Sequence, residues 1–485
     1  MINNSKRYSY VIFIFILPII LANQFYVDDI GRTTVGYTKW GVDGRPVADI
    51  VMSVLNLSSR IVDLAPLPII LASVLLAISF ACYRKRFLDG GKWSFIIPLA
   101  FMANPAIISM FSYRFDVLTF SFSIASAFAL FAIKCKRLAH ELIIGTAFVV
   151  IVLGTYQAVI NVVAILLICE VIVNMARFTY PQLILKRVAL RIMQVLVGGV
   201  IYVKFILPIT FSGHYSSNHP RISNDIFGAL KNNSLKYYDF ASTNFYRVIG
   251  GELLLLSALA CIIMTAFLSY KYVKCKGLNW KVFNVITGAI LATAIAMPMT
   301  MGALLVLANP LGGVHLYMSV GVFYVLMSTL LYYCFKEHRY VTSITLIPVL
   351  YSMILMYAYG NALKAQERIN KVVLSEIMQS IRDAGSDNNV SIVFTGTAPR
   401  SEAVKNAALN FPLINYSVTD YFWNWYWGSA YMSFNGIKNT YMPANKAKNY
   451  ISHKCEGNLS FQGQWLNSYI KDSVLIVDFD KKSCQ

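Results

Sequence analysis

"YVIFIFILPIILANQFYVDDIGR" occupies residues 10–32. The apolar run from Tyr8 to Ala22 carries no charge. It has the length and character of a segment that enters a bilayer, whose hydrocarbon core of about 30 Å takes roughly 17–25 residues of helix. It follows a short polar stub containing Lys6 and Arg7 and has no A-x-A-like cleavage site. We therefore read it as a retained first span rather than a signal peptide. Asp28 and Asp29 come directly after it, two like charges side by side at the mouth of a membrane, where desolvation is costly.

Working outward, the rest of the chain agrees. Of its 485 residues 57% are apolar and only 13% are charged, against about 25% in soluble domains; mean hydropathy is +0.57. Spans are expected at 8–24, 65–83, 94–112, 116–133, 140–156, 158–176, 190–209, 250–270, 282–303, 316–335 and 341–360, giving a polytopic helical protein of about eleven spans. Residues 141–176 are almost unbroken apolar sequence, so one span there instead of two is the alternative. The basic clusters Lys6–Arg7, Arg84 to Arg86, Lys134 to Arg137, Arg177 to Arg191, Lys271 to Lys281 and Lys336 to Arg339 fall in every second gap. That alternation favours eleven spans and marks those gaps, and the N-terminus, as cytoplasmic. The net charge of +19 is thus a topology signal with an attraction to anionic lipid, and no nucleic-acid partner is expected.

The outward segments are then 25–63, the turns at 113–116 and 156–157, 210–249, 304–315 and everything after about 360. Short amphipathic helices are expected in the long outward loop 25–63; 210–249 is the second large outward loop. Residues 361–485 turn polar and read as a small α/β domain: a helix over Ala362–Arg382, then strand-like "VSIVFTG" (390–396) and "SVLIVDF" (473–479). Cys455 and Cys484 lie in this domain and should pair if it faces an oxidising compartment. The other six cysteines lie in spans or at cytoplasmic edges.

The candidate chemistry collects on the outward side. Asp28 and Asp29 repel each other, so one should ionise late unless a cation offsets it; a carboxylate so placed suits a general base. Arg32 and Arg45 share the loop, which also holds Trp40, Asp43 and Asp49. "FSYRFD" (111–116) sets Arg114 beside Asp116, and "GTYQA" (154–158) offers Tyr156 and Gln157. The arginines either neutralise these acids or bind substrate. Lys204, thirteen residues beyond Arg191, would sit about 20 Å above the cytoplasmic edge, either snorkelling to the interface or meeting a lipid phosphate. His315, in "NPLGGVHLYMS", has the same two readings. The aromatic run "DYFWNWYWGSAYMSF" (420–434) suits a sugar platform, an interfacial belt or a small core. No His, Cys or carboxylate cluster has metal-site spacing, so no metal or other cofactor is expected. There is no P-loop, GxGxxG, HExxH or GxSxG, which leaves nucleotide-driven pumps and soluble-type hydrolases unsupported.

The order of parts resembles the GT-C class of membrane glycosyltransferases, in which a first span leads to a long outward loop opening on an acidic pair. More closely, "YVDDIGR" with Trp40 and "GRP" at 26–46, "YRFD" at 113–116 and "TYQ" at 155–157 resemble the serotype-converting O-antigen glucosyltransferases of the Gtr type. The resemblance implies a GT-C-like core over 1–360 and a periplasmic domain over 361–485, in a bacterial inner membrane. It implies inverting transfer of glucose from undecaprenyl phosphate glucose to lipid-linked O-antigen, without a metal, in functional linkage with a donor synthase and a flippase. Asp28 or Asp29 would be the base; the residues do not say which, since neighbours on a helix point about 100° apart. Arg32, Arg45 and Arg114 would orient Asp116 and the base or hold the phosphate. Alternatives are an O-antigen polymerase, an acetyltransferase or a flippase. A flippase should show internal repeats and charges in mid-span, and neither is present.

Overall fold

Apolar runs become helices in this chain, and prolines and polar turn residues decide where they stop. The computed structural model describes residues 2–212, 222–247, 249–335, 339–385, 389–439 and 441–481. In chain order the principal helices are α1 (Ile2–Ala22), α2 (Asp29–Val35), α3 (Pro46–Asn56), α4 (Leu67–Phe87), α5 (Ile107–Ser112), α6 (Asp116–Ala132), α7 (Leu138–Thr155), α8 (Ile160–Ala176), α9 (Pro181–Ile201), α10 (Ile226–Asn244), α11 (Leu253–Lys276), α12 (Trp280–Ala294), α13 (Val320–Cys334) and α14 (Arg339–Asp383). Three more, α15 (Glu402–Asn410), α16 (Tyr426–Phe434) and α17 (Ala444–Ser452), belong to the C-terminal part.

Among the described residues, eight helical stretches are long and apolar enough to cross a membrane, so the chain is a multi-pass helical membrane protein. The other three expected spans are helical but shorter or broken. The 94–112 stretch divides at Asn104, whose extended backbone is what a residue before proline adopts; Pro105 follows. Residues 116–133 give α6, of 17 residues. Residues 282–303 give α12, which ends at Ala294, with Pro298 shortly after. The apolar stretch 141–176 forms two helices, α7 and α8, separated at Tyr156, which is extended with φ −155°. The long loops carry the helices α2, α3 and α10.

The chain forms two compact units. The first contains Met1–Ile20, Thr38–Arg60 and Leu64–Tyr357. Its helices pack pairwise, α4 on α6, α6 on α7, α7 on α9, and α13 against α8 and α11. α13 is buried along most of its length, with Val322, Phe323, Val325 and Leu326 fully enclosed.

The second unit is assembled from Leu21–Tyr37, Ile61–Asp63 and Ala358–Gln485. Its five strands are β1 (Asn389–Thr395), β2 (Lys438–Asn439), β3 (Asn458–Gln462), β4 (Asn467–Lys471) and β5 (Val474–Asp478), in the order β2-β1-β5-β4-β3. The expected strands at 390–396 and 473–479 are β1 and β5, paired in parallel in register Ser391 to Val474. Alternation sends Ile392, Phe394, Leu475 and Val477 to one face, against Val373, Leu374, Ile377 and Ile381 of α14. Val393, Val474 and Ile476 face the other side, against Ala447 of α17. With both faces covered, β5 is apolar on successive residues, as buried strands are. Cys455 is disulfide-bonded; its expected partner, Cys484, lies outside the described residues. The remaining six cysteines are free.

Candidate functional site

The first unit holds a polar pocket built by one tight turn. Asp49 accepts the backbone N–H groups of Trp40 and Gly41, at 2.9 and 2.6 Å, and so folds Gly41–Asp43 into a single 3₁₀ turn. The turn ends at Gly44, whose φ of +77° suits glycine. A Cβ there would also lie 2.8 Å from the Tyr202 hydroxyl and from Leu207. The closeness is used: Tyr202 donates its hydroxyl hydrogen to the Gly44 carbonyl at 2.8 Å. Gln157 donates to the Asp43 carbonyl at 3.1 Å and to the Tyr202 hydroxyl at 2.9 Å.

This arrangement projects Arg45 into a cavity of about 450 Å³, lined also by Asp43, Tyr156, Gln157, Asn161, Tyr202 and His315. The Arg45 guanidinium lies 3.4 Å from Asp116 and 3.8 Å from Asp43, and sits over the Tyr156 ring at 5.8 Å. Asp116 is buried and also accepts from Trp40 Nε1 at 2.7 Å. His315 is half-buried among rings, edge-on to Tyr113 at 5.5 Å and stacked with Phe120 at 6.1 Å. The rest of the lining is largely apolar, including Leu304, Leu307 and Leu311. Arg45, the amides of Gln157 and Asn161 and the His315 imidazole, beside these leucines, suit a polar head on an apolar body.

Such a body has a place to lie. A groove of about 320 Å³ runs along α8, lined there by Ala164, Leu167, Ile168 and Val171, and by Ile184 and Val188 of α9 and Val285 and Ala289 of α12. It begins one helical turn beyond Asn161, a residue of the polar pocket. Its walls are almost wholly apolar.

The acidic pair lies in the second unit, at the start of α2. Its two members differ. Asp29 is fully buried and accepts the Tyr26 N–H at 3.1 Å. Asp28 is part-exposed and pairs with Arg32 one turn later, at 3.2 Å. The arginine guanidinium also stacks over Tyr37 at 5.1 Å. α2 is seated by the aromatic run: a Cβ on Gly31 would meet the Trp427 ring at 2.7 Å. Tyr421 donates to the Phe25 carbonyl and accepts from the Val27 N–H, at 3.1 and 3.2 Å. Burial, and then the Asp29 charge, hold the Tyr421 hydroxyl well above the usual tyrosine range, so it stays a neutral donor.

Comparison with known proteins adds to this geometry. The family model for glucosyl transferase GtrII matches residues 17–326. The chain belongs to the GtrII glucosyl transferase family. An uncharacterized 55.3 kDa protein in the gtrB 5′ region of Salmonella phage P22 is 26% identical over 435 residues, spanning 88% of this chain and 89% of the phage protein. No solved structure matches. As a GtrII glucosyl transferase the chain is a glycosyltransferase, and the matched residues include the acidic pair and every polar residue of the pocket.

Of the residues expected from the sequence, this GtrII chain brings Arg45, Asp116, Tyr156, Gln157 and His315 together in the first unit. Asp28, Asp29 and Arg32 belong to the second. Arg114 is buried in the turn between α5 and α6 and does not line the pocket. Lys204 is exposed, on a π-helical turn over Tyr202–Ile206; its neighbour Tyr202, not Lys204, faces the pocket. The 420–434 run is divided: Tyr421, Phe422, Tyr431 and Met432 are buried in the core, while Trp423, Tyr426 and Phe434 are exposed. Sequence reasoning missed Asn161 and Tyr202 as site residues. The signal for Asn161 was present, since an amide within an apolar run needs a partner; here its Nδ2 donates to the Thr300 carbonyl at 3.1 Å. Among the described residues no three His, Cys, Asp or Glu side chains converge to hold a metal ion.

Proposed function

We propose that this enzyme transfers glucose from undecaprenyl phosphate glucose to lipid-linked O-antigen repeats on the periplasmic side of the bacterial inner membrane, with inversion. The observation that carries this reading is the polar pocket around Arg45 opening beside the apolar groove along α8. A polyprenyl phosphate sugar has those two parts in that order. The phage relative's position in the gtrB 5′ region supports linkage to a gene set serving one modification, including a donor synthase and a flippase.

In this reaction an acceptor hydroxyl oxygen attacks the anomeric carbon as the bond from that carbon to the phosphate oxygen breaks. The hydroxyl proton passes to a carboxylate, and the phosphate leaves with the bonding electrons. Arg45 opposes the charge that grows on the leaving phosphate, and such preorganised cations contribute several kcal/mol where water is excluded. His315 and Gln157 bind the same head. The family resemblance assigns proton abstraction to the acidic pair. Within it we favour Asp28, because Asp29 is buried and committed to the backbone. Arg32 then orients Asp28.

The test uses cells that make the lipid-linked glucose and an O-antigen. Lipopolysaccharide repeats are weighed by mass spectrometry with the wild type, Asp28→Asn, Asp43→Asn and Arg45→Gln at matched membrane levels. A hexose per repeat with the wild type, absent with Asp28→Asn and Arg45→Gln, supports the reading. A hexose lost only with Asp43→Asn moves the base to the pocket wall. Altered chain length or acetyl content, with no added hexose, refutes glucosyl transfer.

A further inference from the structure

A second polar cavity, of about 370 Å³, lies at the Lys/Arg-rich ends of α7, α8 and α9. Arg86, Glu141 and Arg187 of its lining belong to a buried ion network. Arg191 and Glu170 are almost fully enclosed and paired at 3.1 Å, and Glu170 also pairs with Arg86 at 3.3 Å. Glu141, buried in the first turn of α7, pairs with Arg187 and lies 3.6 Å from Arg191. Gln194 ties the network to the backbone, donating to the Glu141 carbonyl at 2.7 Å. Three arginines thus face two carboxylates.

The rim adds more positive charge. Lys134 and Lys136, from the loop before α7, and Lys186 of α9 line the same cavity, and they are exposed. The glutamates do not cancel this field. Arg86 foremost, then partial burial and Arg187, hold the Lys134 ammonium below the usual lysine range. A requirement for topology alone would be met by exposed lysines. It would not call for buried, cross-braced arginines beneath them, since buried ion pairs carry a large desolvation cost.

We propose that this cavity binds the phosphate head group of an anionic phospholipid. Two observations favour a lipid over free phosphate. The cavity is walled by leucines as well as cations, with Leu138 and Leu183 at its edge. From there the exposed faces of α7 and α9 continue apolar, through Ile143, Met193 and Leu196, each at least half exposed, where acyl chains can lie. The head group supplies the negative charge the network lacks and ties α7, α8 and α9 together at one end. The site is separate from the Arg45 pocket, shares no lining residue with it, and does not depend on the glucosyl donor.

Native mass spectrometry of the full chain in detergent tests this, with phosphatidylglycerol, cardiolipin, phosphatidylcholine or inorganic phosphate added singly. The wild type should retain phosphatidylglycerol or cardiolipin at several-fold higher occupancy than phosphatidylcholine, and should melt at a higher temperature with them. Lys134→Gln with Lys186→Gln should remove that preference; both side chains lie on the rim, so the fold should persist, as its melting temperature without lipid would verify. Lys274→Gln, an exposed lysine at the end of α11, should leave the preference intact. Equal retention of phosphatidylcholine, equal loss in the Lys274 variant, or protection by inorganic phosphate with none by the lipids would each overturn the proposal.

Discussion

Replacing Arg45 with glutamine removes the cation but keeps a donor toward Asp116. Transfer should fall by about 10²-fold or more, the scale seen when one preorganised charge-stabilising group is lost, while the protein still reaches the membrane; a vesicle assay with lipid-linked glucose reads the rate. Trp40→Phe acts differently. It deletes the 2.7 Å donor to the buried Asp116 and should cost about 1.5–3 kcal/mol, the range for a hydrogen bond to a charged group, read as a lower melting temperature in detergent. The members of the acidic pair should differ as well. Asp28→Asn should abolish transfer, and loss of its charge beside the buried Arg32 should also lower the melting temperature. Asp29→Ala removes the buried carboxylate that accepts from the Tyr26 N–H and should lower stability by about 1–3 kcal/mol. No reading of the sequence could rank these neighbours, because the difference comes from Tyr26 and Tyr421, one of them far along the chain. Arg45, Asp116, Tyr156 and Gln157 were legible because ionisable and amide groups in apolar surroundings stand out. Tyr202 was not, because a tyrosine near a span end is ordinary in any membrane helix.

At the scale of elements, α10 braces one wall of the pocket. Asn233 donates to the carbonyls of Leu305 and Leu307, at 3.0 and 2.9 Å, and Tyr237, one turn on, donates to that of Leu311 at 2.8 Å. Leu307 and Leu311 line the pocket that holds Arg45. Asn233→Ala should therefore raise KM for the lipid donor more than it lowers kcat, at a stability cost of about 1–3 kcal/mol. Burial pushes the Tyr237 hydroxyl up to about 12, against about 10 in an unfolded chain. Its contribution is whole below pH 10 and is lost as pH climbs from 10 toward 12, because there the unfolded chain releases a proton that the folded chain retains. Melting temperature should fall across that window, and Tyr237→Phe should reduce the slope. The apolar runs located the long helices, including the turn between α7 and α8, where Tyr156 and Gln157 interrupt the run, but not α10 and α15 to α17. Span length was less legible: at Asn104 and Ala294 the nearby prolines end the helix before hydropathy does.

For the molecule as a whole, the second unit's core is drawn from both ends of the sequence. Ile30 of α2 is fully buried among Val373, Ile377, Phe422 and Met432. Ile30→Ala should destabilise that unit by about 2–5 kcal/mol, as large-to-small core changes do, and limited proteolysis should cut first between residues 390 and 480. The α/β character of this part was readable from two apolar strands. That the acidic helix would join its core was not, because nothing local in "DDIGR" distinguishes a residue packed on its own loop from one packed on a distant tryptophan.

That seating of α2 imposes an order in time. The ribosome releases residues 28–32 about 390 residues before the Tyr421 and Trp427 that pack on this segment. At about 5–20 residues per second the wait is on the order of tens of seconds. During it the acid-bearing segment lacks the contacts that Tyr421 and Trp427 supply. A nascent chain can thus enter the membrane with most of its helices and still lack an ordered acidic pair, which waits on the emergence of the aromatic run at 420–434.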